Sequence, residues 1–215
     1  AGYLDSAILN TLARLGWSRG EKEVFYLDDL IKDFEITEVQ KAGAIFDVTK
    51  LDFLNSQHMA NLSQEEFVTA INPFLNDEGI DINDHPKKDL LIESMRSSSN
   101  TLKGVSKNLV CYFKDINSYD HKAIDKFIGS SDTILNDLKN KIVELDLWEE
   151  ESLDKLLFDY RTKHDLPIPK VNQPIRIALT GSTNSPSLGT TLYLFDKKEV
   201  LKRLEDLISF LHKDN

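Results

Sequence analysis

The chain has 215 residues, 40% of them hydrophobic, a single cysteine and a formal net charge of -10. That is apolar material enough for one large domain or two small ones, and one cysteine excludes an internal disulfide framework and fits a reducing compartment. No apolar run approaches the roughly 20 residues of a membrane span, and Ala1-Gly2-Tyr3-Leu4-Asp5 has no basic patch leading into an apolar stretch, so neither anchor nor leader is expected and the protein is placed in the cytoplasm.

In chain order, Leu4, Ile8, Leu12 and Leu15 recur at helical spacing and stop at Gly16, predicting a helix that ends on glycine. Ser63 followed by Glu66 is a capping box opening a second helix, which Pro73 should end or kink. The acidic stretch 76–86 reads as a domain boundary, and 87–114 holds two helical patterns around Ser97-Ser98-Ser99-Asn100. Ser131 or Asp132 can cap a helix whose face is Ile134, Leu135, Leu138, Ile142 and Leu145. The next helix, from Glu149 to His164, carries acids in its first turn and bases in its last, as the helix dipole favours. Ile175-Arg176-Ile177-Ala178-Leu179 alternates enough for a strand, but Pro174 suits a helix start and Gly181 a helix end. Ser185-Pro186 repeats that start signal, and Asp196 caps a last helix over 197–213. The fold class expected is all-α.

Charge is uneven along these elements. Residues 59–85 carry six acids and no lysine or arginine, and residues 144–160 carry seven acids against Lys155 alone. The stretches 86–126 and 161–215 are net basic and could meet phosphate. Ordinary charged helix faces are the simpler reading.

Catalytic patterns are missing. Five scattered histidines and one cysteine give no metal-ligand spacing, and neither a Walker loop nor a G-x-G-x-x-G turn occurs. Cys111, in "LVCYF", reads as a small buried thiol rather than a nucleophile. "TGSTNSPSL" is the segment most suggestive of recognition. It places small polar side chains and helix N-terminal N–H groups together beside Arg176, a surface suited to anions or to the edges of unstacked RNA bases. A pair of capped turns without a ligand would look the same.

Three segments carry a family resemblance. "GYLDSAILNTLARLGWSRGEKEVFYLDDLI", "VQKAGAIFDVTKLDFLNSQHM" and "NQPIRIALTGSTNSPSL" resemble, in this order, motifs of the C-terminal half of bacterial-type glutamate-tRNA ligase. The resemblance implies a helical stem-contact domain over 1–75 and a helical anticodon-binding region over 76–215, which could divide into two subdomains near 129–131. It implies a monomer that binds tRNA(Glu) and neither DNA nor a membrane. The family's ATP-binding catalytic domain, with its H-I-G-H-like and K-M-S-K-S-like motifs, is not within these residues. ATP and Mg2+ therefore belong to the full-length enzyme, and this chain alone should bind tRNA without charging it. A helical protein-interaction scaffold without RNA binding is the alternative.

Residue by residue, the resemblance assigns Arg176, Ser185 and Leu188 to the anticodon, and Lys41, Lys50 and Asn55 to tRNA stem contacts that orient without reading sequence. Arg19, in "GWSRG" where the family has "GWSHG", adds a further phosphate contact. Three residues before Thr101 the family often has an arginine that reads the third anticodon base; here it is Ser98. A serine cannot make the bidentate contact of a guanidinium, which implies relaxed discrimination and charging of tRNA(Gln) as well, unless Arg96 substitutes.

Overall fold

The computed structural model describes residues 1–40, 43, 45–129 and 132–213. Among them are twelve α-helices and no β-strand beyond one isolated bridge between Arg19 and Lys22, in line with the all-α expectation. The helices are α1 (Asp5–Ala13), α2 (Leu27–Asp33), α3 (Val48–Asn61), α4 (Gln64–Asp77), α5 (Lys88–Met95), α6 (Leu102–Leu109), α7 (His121–Phe127), α8 (Thr133–Val143), α9 (Glu150–Lys163), α10 (Ile168–Thr180), α11 (Leu188–Leu194) and α12 (Lys197–Lys213). They sort into two units. The first comprises Ala1–Ile82 with Met95–Asn108, and the second Asn83–Ser94 with Leu109 onward.

In the first unit α1 packs on α3, but its apolar stripe is not the buried face. Ala7, Asn10 and Thr11 are buried, while Ile8 and Leu12 are 37% and 51% exposed. Asn10 explains the choice. Its Oδ1 accepts from the Phe25 N–H at 2.9 Å and lies 3.1 Å from His58 Nε2, and its amide donates to the Glu23 carbonyl at 3.2 Å. A polar side chain with every group satisfied can replace apolar burial there. α1 also ends at Ala13, before Gly16, whose carbonyl instead accepts from the Gln40 N–H at 2.7 Å.

Both interior prolines sit inside helices rather than at their ends. The Ser63–Glu66 capping box opens α4 as expected, and the helix then runs through Pro73 to Asp77. Thr69 and Pro73 are both exposed, so the carbonyl that loses its donor lies on the solvent side. Phe67, Ile71 and Leu75 meanwhile bury the opposite face.

The second unit is organised around α10, which contacts α7, α8, α9, α11 and α12. This helix begins at Ile168 behind Pro167, earlier than the Pro174 start the sequence suggested. Pro174 is buried within it, and the exposed Lys170 supplies the carbonyl left without a donor. Val171, Pro174, Ile175, Ile177, Ala178 and Leu179 are all buried, so α10 is enclosed on most of its circumference. Asp196 caps α12 through the Glu199 N–H at 2.7 Å. Asp132 precedes α8 without a side-chain cap bond, and Ser131 lies outside the described residues.

Two buried histidines set a pH dependence. His58 in the first unit and His85 in the second both have their pKa lowered from 6.5, chiefly by burial. Because Asn10 Oδ1 already accepts from Phe25, His58 meets it through an Nε2–H, as the neutral ring allows. His85 Nδ1 accepts from the Lys87 N–H at 3.1 Å, so it too is held neutral. Below pH 6.5 the unfolded chain takes up protons that the folded chain resists. The histidine contribution is therefore complete above pH 6.5 and is lost as pH falls toward the lower folded values. Urea midpoints should be lower at acidic pH than above neutrality; midpoints that stay constant as pH falls through this window would refute it.

Candidate nucleic-acid interface

The residues singled out around "TGSTNSPSL" come together in the second unit, between the C-terminus of α10 and the N-terminus of α11. Gly181 ends α10 in the left-handed region at φ 74°, where its N–H donates to the Ile177 carbonyl at 2.8 Å and its carbonyl accepts from the Asp120 N–H at 3.0 Å. A Cβ at this position would stand 3.0 Å from the Ser118 carbonyl oxygen, so both conformation and space call for glycine. Ser187 then caps α11, its Oγ accepting from the Thr190 N–H at 3.1 Å. The helix start read from Ser185-Pro186 is thus shifted two residues onward.

Arg176 spans this turn. Its Nε donates to Ser185 Oγ at 2.7 Å and its Nη2 to the Pro186 carbonyl at 3.0 Å. Burial works against its charge and lowers its pKa. Ser185 Oγ also lies 2.9 Å from Thr191 Oγ1, and Thr180 Oγ1 is 2.9 Å from the Arg176 carbonyl. Leu188 is buried. What this arrangement offers a ligand is a turn of small polar residues, its peptide groups, and the guanidinium edge not spent on Ser185 and Pro186.

Ser98 and Arg96 belong to the first unit. The Ser98 carbonyl accepts from Asn108 Nδ2 at 3.0 Å. Arg96 donates through Nη1 to the Leu62 carbonyl at 2.7 Å and lies 4.8 Å from the centre of the Phe67 ring, while its buried Nε has no partner among the described residues.

The residues assigned to stem contacts divide into surface cations and a buried amide. Arg19 is exposed and pairs with Glu38 at 3.7 Å. Lys50 pairs with Glu23, whose carboxyl is held below its ordinary pKa by that bond, and stands over the Phe53 ring. Asn55 is fully buried. Its Oδ1 accepts from the Leu4 N–H at 2.8 Å and its amide donates to the Asn100 carbonyl at 2.5 Å. Lys41 lies outside the described residues.

Among the described residues no cluster of histidine, cysteine or carboxylate could hold a metal ion, and no helix is long and apolar enough to cross a membrane. Burial pushes the Cys111 thiol up to about 12, the opposite of an activated nucleophile. Thr191 also builds the turn but lies outside the "TGSTNSPSL" stretch and carries no local signal in the sequence.

A family model described as an anticodon binding domain matches residues 66–208. A glutamate-tRNA ligase of Coxiella burnetii (strain Dugway 5J108-111) is 32% identical over 215 residues, covering 99% of this chain and 45% of its own length. One from Thermodesulfovibrio yellowstonii is 34% identical over 212 residues, covering 96% and 46%. The crystal structure of a glutamate tRNA ligase from Elizabethkingia meningosepticum, in complex with its amino acid, superposes with a TM-score of 0.82 at 27% identity, over 98% of this chain and 42% of that one. The chain spans less than half the length of the curated relatives it matches.

Proposed function

The chain belongs to the anticodon binding domain family, and we propose that it is the tRNA-binding, anticodon-recognising portion of a glutamate-tRNA ligase, an enzyme that attaches glutamate to tRNA(Glu) in the cytoplasm using ATP and Mg2+. The observation that carries this reading is the Arg176 turn, a stretch of small polar residues held by a guanidinium and lying inside the span matched by the family model. Residues 1–75 serve as the stem-contact domain and 76–215 as the anticodon-binding region of a monomer. ATP and Mg2+ act in the part of the enzyme outside these residues.

On the stem-contact side, Arg19 and Lys50 exchange their carboxylate partners for phosphate oxygens, and Lys41 adds a further phosphate contact. Asn55 holds the framework that positions them. Arg176 and the backbone around Ser185 and Leu188 read the anticodon. Ser98 leaves the third anticodon base without a bidentate reader, and the bond of Arg96 Nη1 to the Leu62 carbonyl, with its contact to the Phe67 ring, supports this by holding that guanidinium against the fold. The enzyme then charges tRNA(Gln) as well as tRNA(Glu).

The test is binding of this chain to tRNA(Glu), tRNA(Gln) and an unrelated tRNA across a salt series. Both cognate candidates should bind more tightly than the third, with log K falling linearly against log salt. Ser98→Arg should favour tRNA(Glu) over tRNA(Gln) by about tenfold or more, the worth of one bidentate base contact. Equal affinity for all three tRNAs would sink the reading, and no binding at low salt would favour the scaffold.

A further inference from the structure

We propose that Arg176 is a positioning residue that builds the 182–187 turn before any ligand arrives, and that Ser185 and Thr191 work through it as parts of one relay. The bonding ties the guanidinium to the backbone of the turn through hydroxyls. Thr191 Oγ1 donates to the Ser187 carbonyl at 2.9 Å and lies 2.9 Å from Ser185 Oγ, which also donates to the Pro186 carbonyl at 3.2 Å. Ser185 Oγ in turn accepts from Arg176 Nε at 2.7 Å, while Nη2 holds the next carbonyl, that of Pro186. The guanidinium thus donates into a set of linked hydroxyls that ends on the Pro186 and Ser187 carbonyls, and each bond polarises the next.

From Ser182 to Ser187 no side chain is buried, whereas Gly181 and Leu188 on either side are. A turn without apolar anchors is ordered by its polar links, and a fork of two donors fixes orientation where a single ammonium would not. Two of the guanidinium nitrogens are spent on the fold, and Nη1 has no hydrogen-bond partner among the described residues. Nη1 and the peptide groups of a pre-formed turn are then the recognition surface. The unstacked base it receives avoids the cost of ordering the loop. The binding part of this inference rests on the proposed function, while the ordering of the turn stands on the bonding alone.

Hydrogen exchange of the free protein separates the two. Arg176→Lys and Ser185→Ala should each speed exchange of the amides of 182–185, 187 and 188 by roughly tenfold, the scale of one or two lost charge-assisted hydrogen bonds. Exchange in the α10 core should be unchanged. Thr191→Val, nearly isosteric at a buried site, should do the same to a smaller degree. Ser185→Ala keeps the guanidinium yet should lower the preference for tRNA(Glu) over a transcript with a substituted anticodon, where a general loss of stability would weaken both equally. Parent-level exchange and parent-level preference in Ser185→Ala and Thr191→Val, with a defect only on replacing Arg176, would overturn the proposal. A parent chain that binds no tRNA while its variants still exchange faster would refute the function and leave the ordering role standing.

Discussion

Arg203→Ala should destabilise the second unit by about 3–5 kcal/mol, the cost of dismantling a buried, fully bonded charge. Arg203 is 5% exposed on α12. Its Nη1 donates to the Leu179 carbonyl at 2.6 Å, its Nη2 to the Lys114 carbonyl at 3.1 Å and its Nε to Glu199 at 2.6 Å, while the guanidinium lies 4.5 Å from the centre of the Phe195 ring. Leu179 is in the last turn of α10, where carbonyls have no partner within the helix. Truncation removes the donor for that carbonyl and for Lys114 and leaves a void beside Phe195. Lysine cannot repair this, since one ammonium cannot reach along three diverging bonds.

The two tryptophans make the measurement specific, because Trp17 lies in the first unit and Trp148 in the second. Trp148 Nε1 donates to the Phe195 carbonyl at 3.0 Å, next to the ring under Arg203. In a Trp17→Phe background, urea unfolding followed by Trp148 fluorescence should move to a midpoint lower by about 1–5 M, using urea slopes of about 1–3 kcal/mol/M. A shift corresponding to less than about 1 kcal/mol would place Arg203 among ordinary surface cations and refute the claim.

Local chemistry explains which parts of this fold were legible. Caps are decided by a side chain and the next three residues, and the Ser63 box, the Asp196 cap and the αL glycine at 181 all fell where the sequence put them. Pro174 misled as a helix start because Pro167 already precedes α10 and an interior proline is tolerated according to where its orphaned carbonyl ends up. Thr69 and Lys170, which carry those carbonyls, are both exposed residues, which no local pattern reveals. α1 misled for the complementary reason: its buried face is polar, and only the arrival of Phe25, Glu23 and His58 from elsewhere in the chain satisfies Asn10. "IRIALT" was ambiguous between strand and helix because a helix enclosed on most sides has almost no polar face.

The candidate site divides in the same way. Arg176 and the polar turn could be named from sequence, and the structure joins them directly. The part played by Thr191 could not, because its hydroxyl meets Ser185 only once α10 and α11 are placed. Residue type alone also says little about exposure. Arg19 and Asn55 both read as polar surface candidates, yet one side chain is 54% exposed and the other residue is fully buried.

Asn55→Ala should cost the first unit about 2–4 kcal/mol, because one amide holds two backbone groups that nothing else reaches. The Leu4 N–H sits at the N-cap of α1, which has no side-chain cap of its own, and the Asn100 carbonyl closes the turn before α6. Alanine leaves both groups without this partner. Asn55→Asp is the sharper probe. Its Oδ1 can still accept from Leu4, but the second oxygen would face the Asn100 carbonyl, acceptor against acceptor, and burial would add its own penalty to the ionised form. The introduced carboxyl should therefore have a raised pKa, so that protonation supplies the missing donor. Its contribution is lost as pH rises through that value and regained as pH falls. The variant's stability relative to the parent should thus improve on acidification, while the parent itself weakens through His58 and His85. Urea titrations followed by Trp17 in a Trp148→Phe background would check this. A difference between Asn55→Asp and parent that does not change with pH would show that the amide is not held as described. If Asn55→Ala instead left stability intact and weakened only tRNA binding, the residue would be a direct contact rather than part of the frame beneath the stem-contact cations.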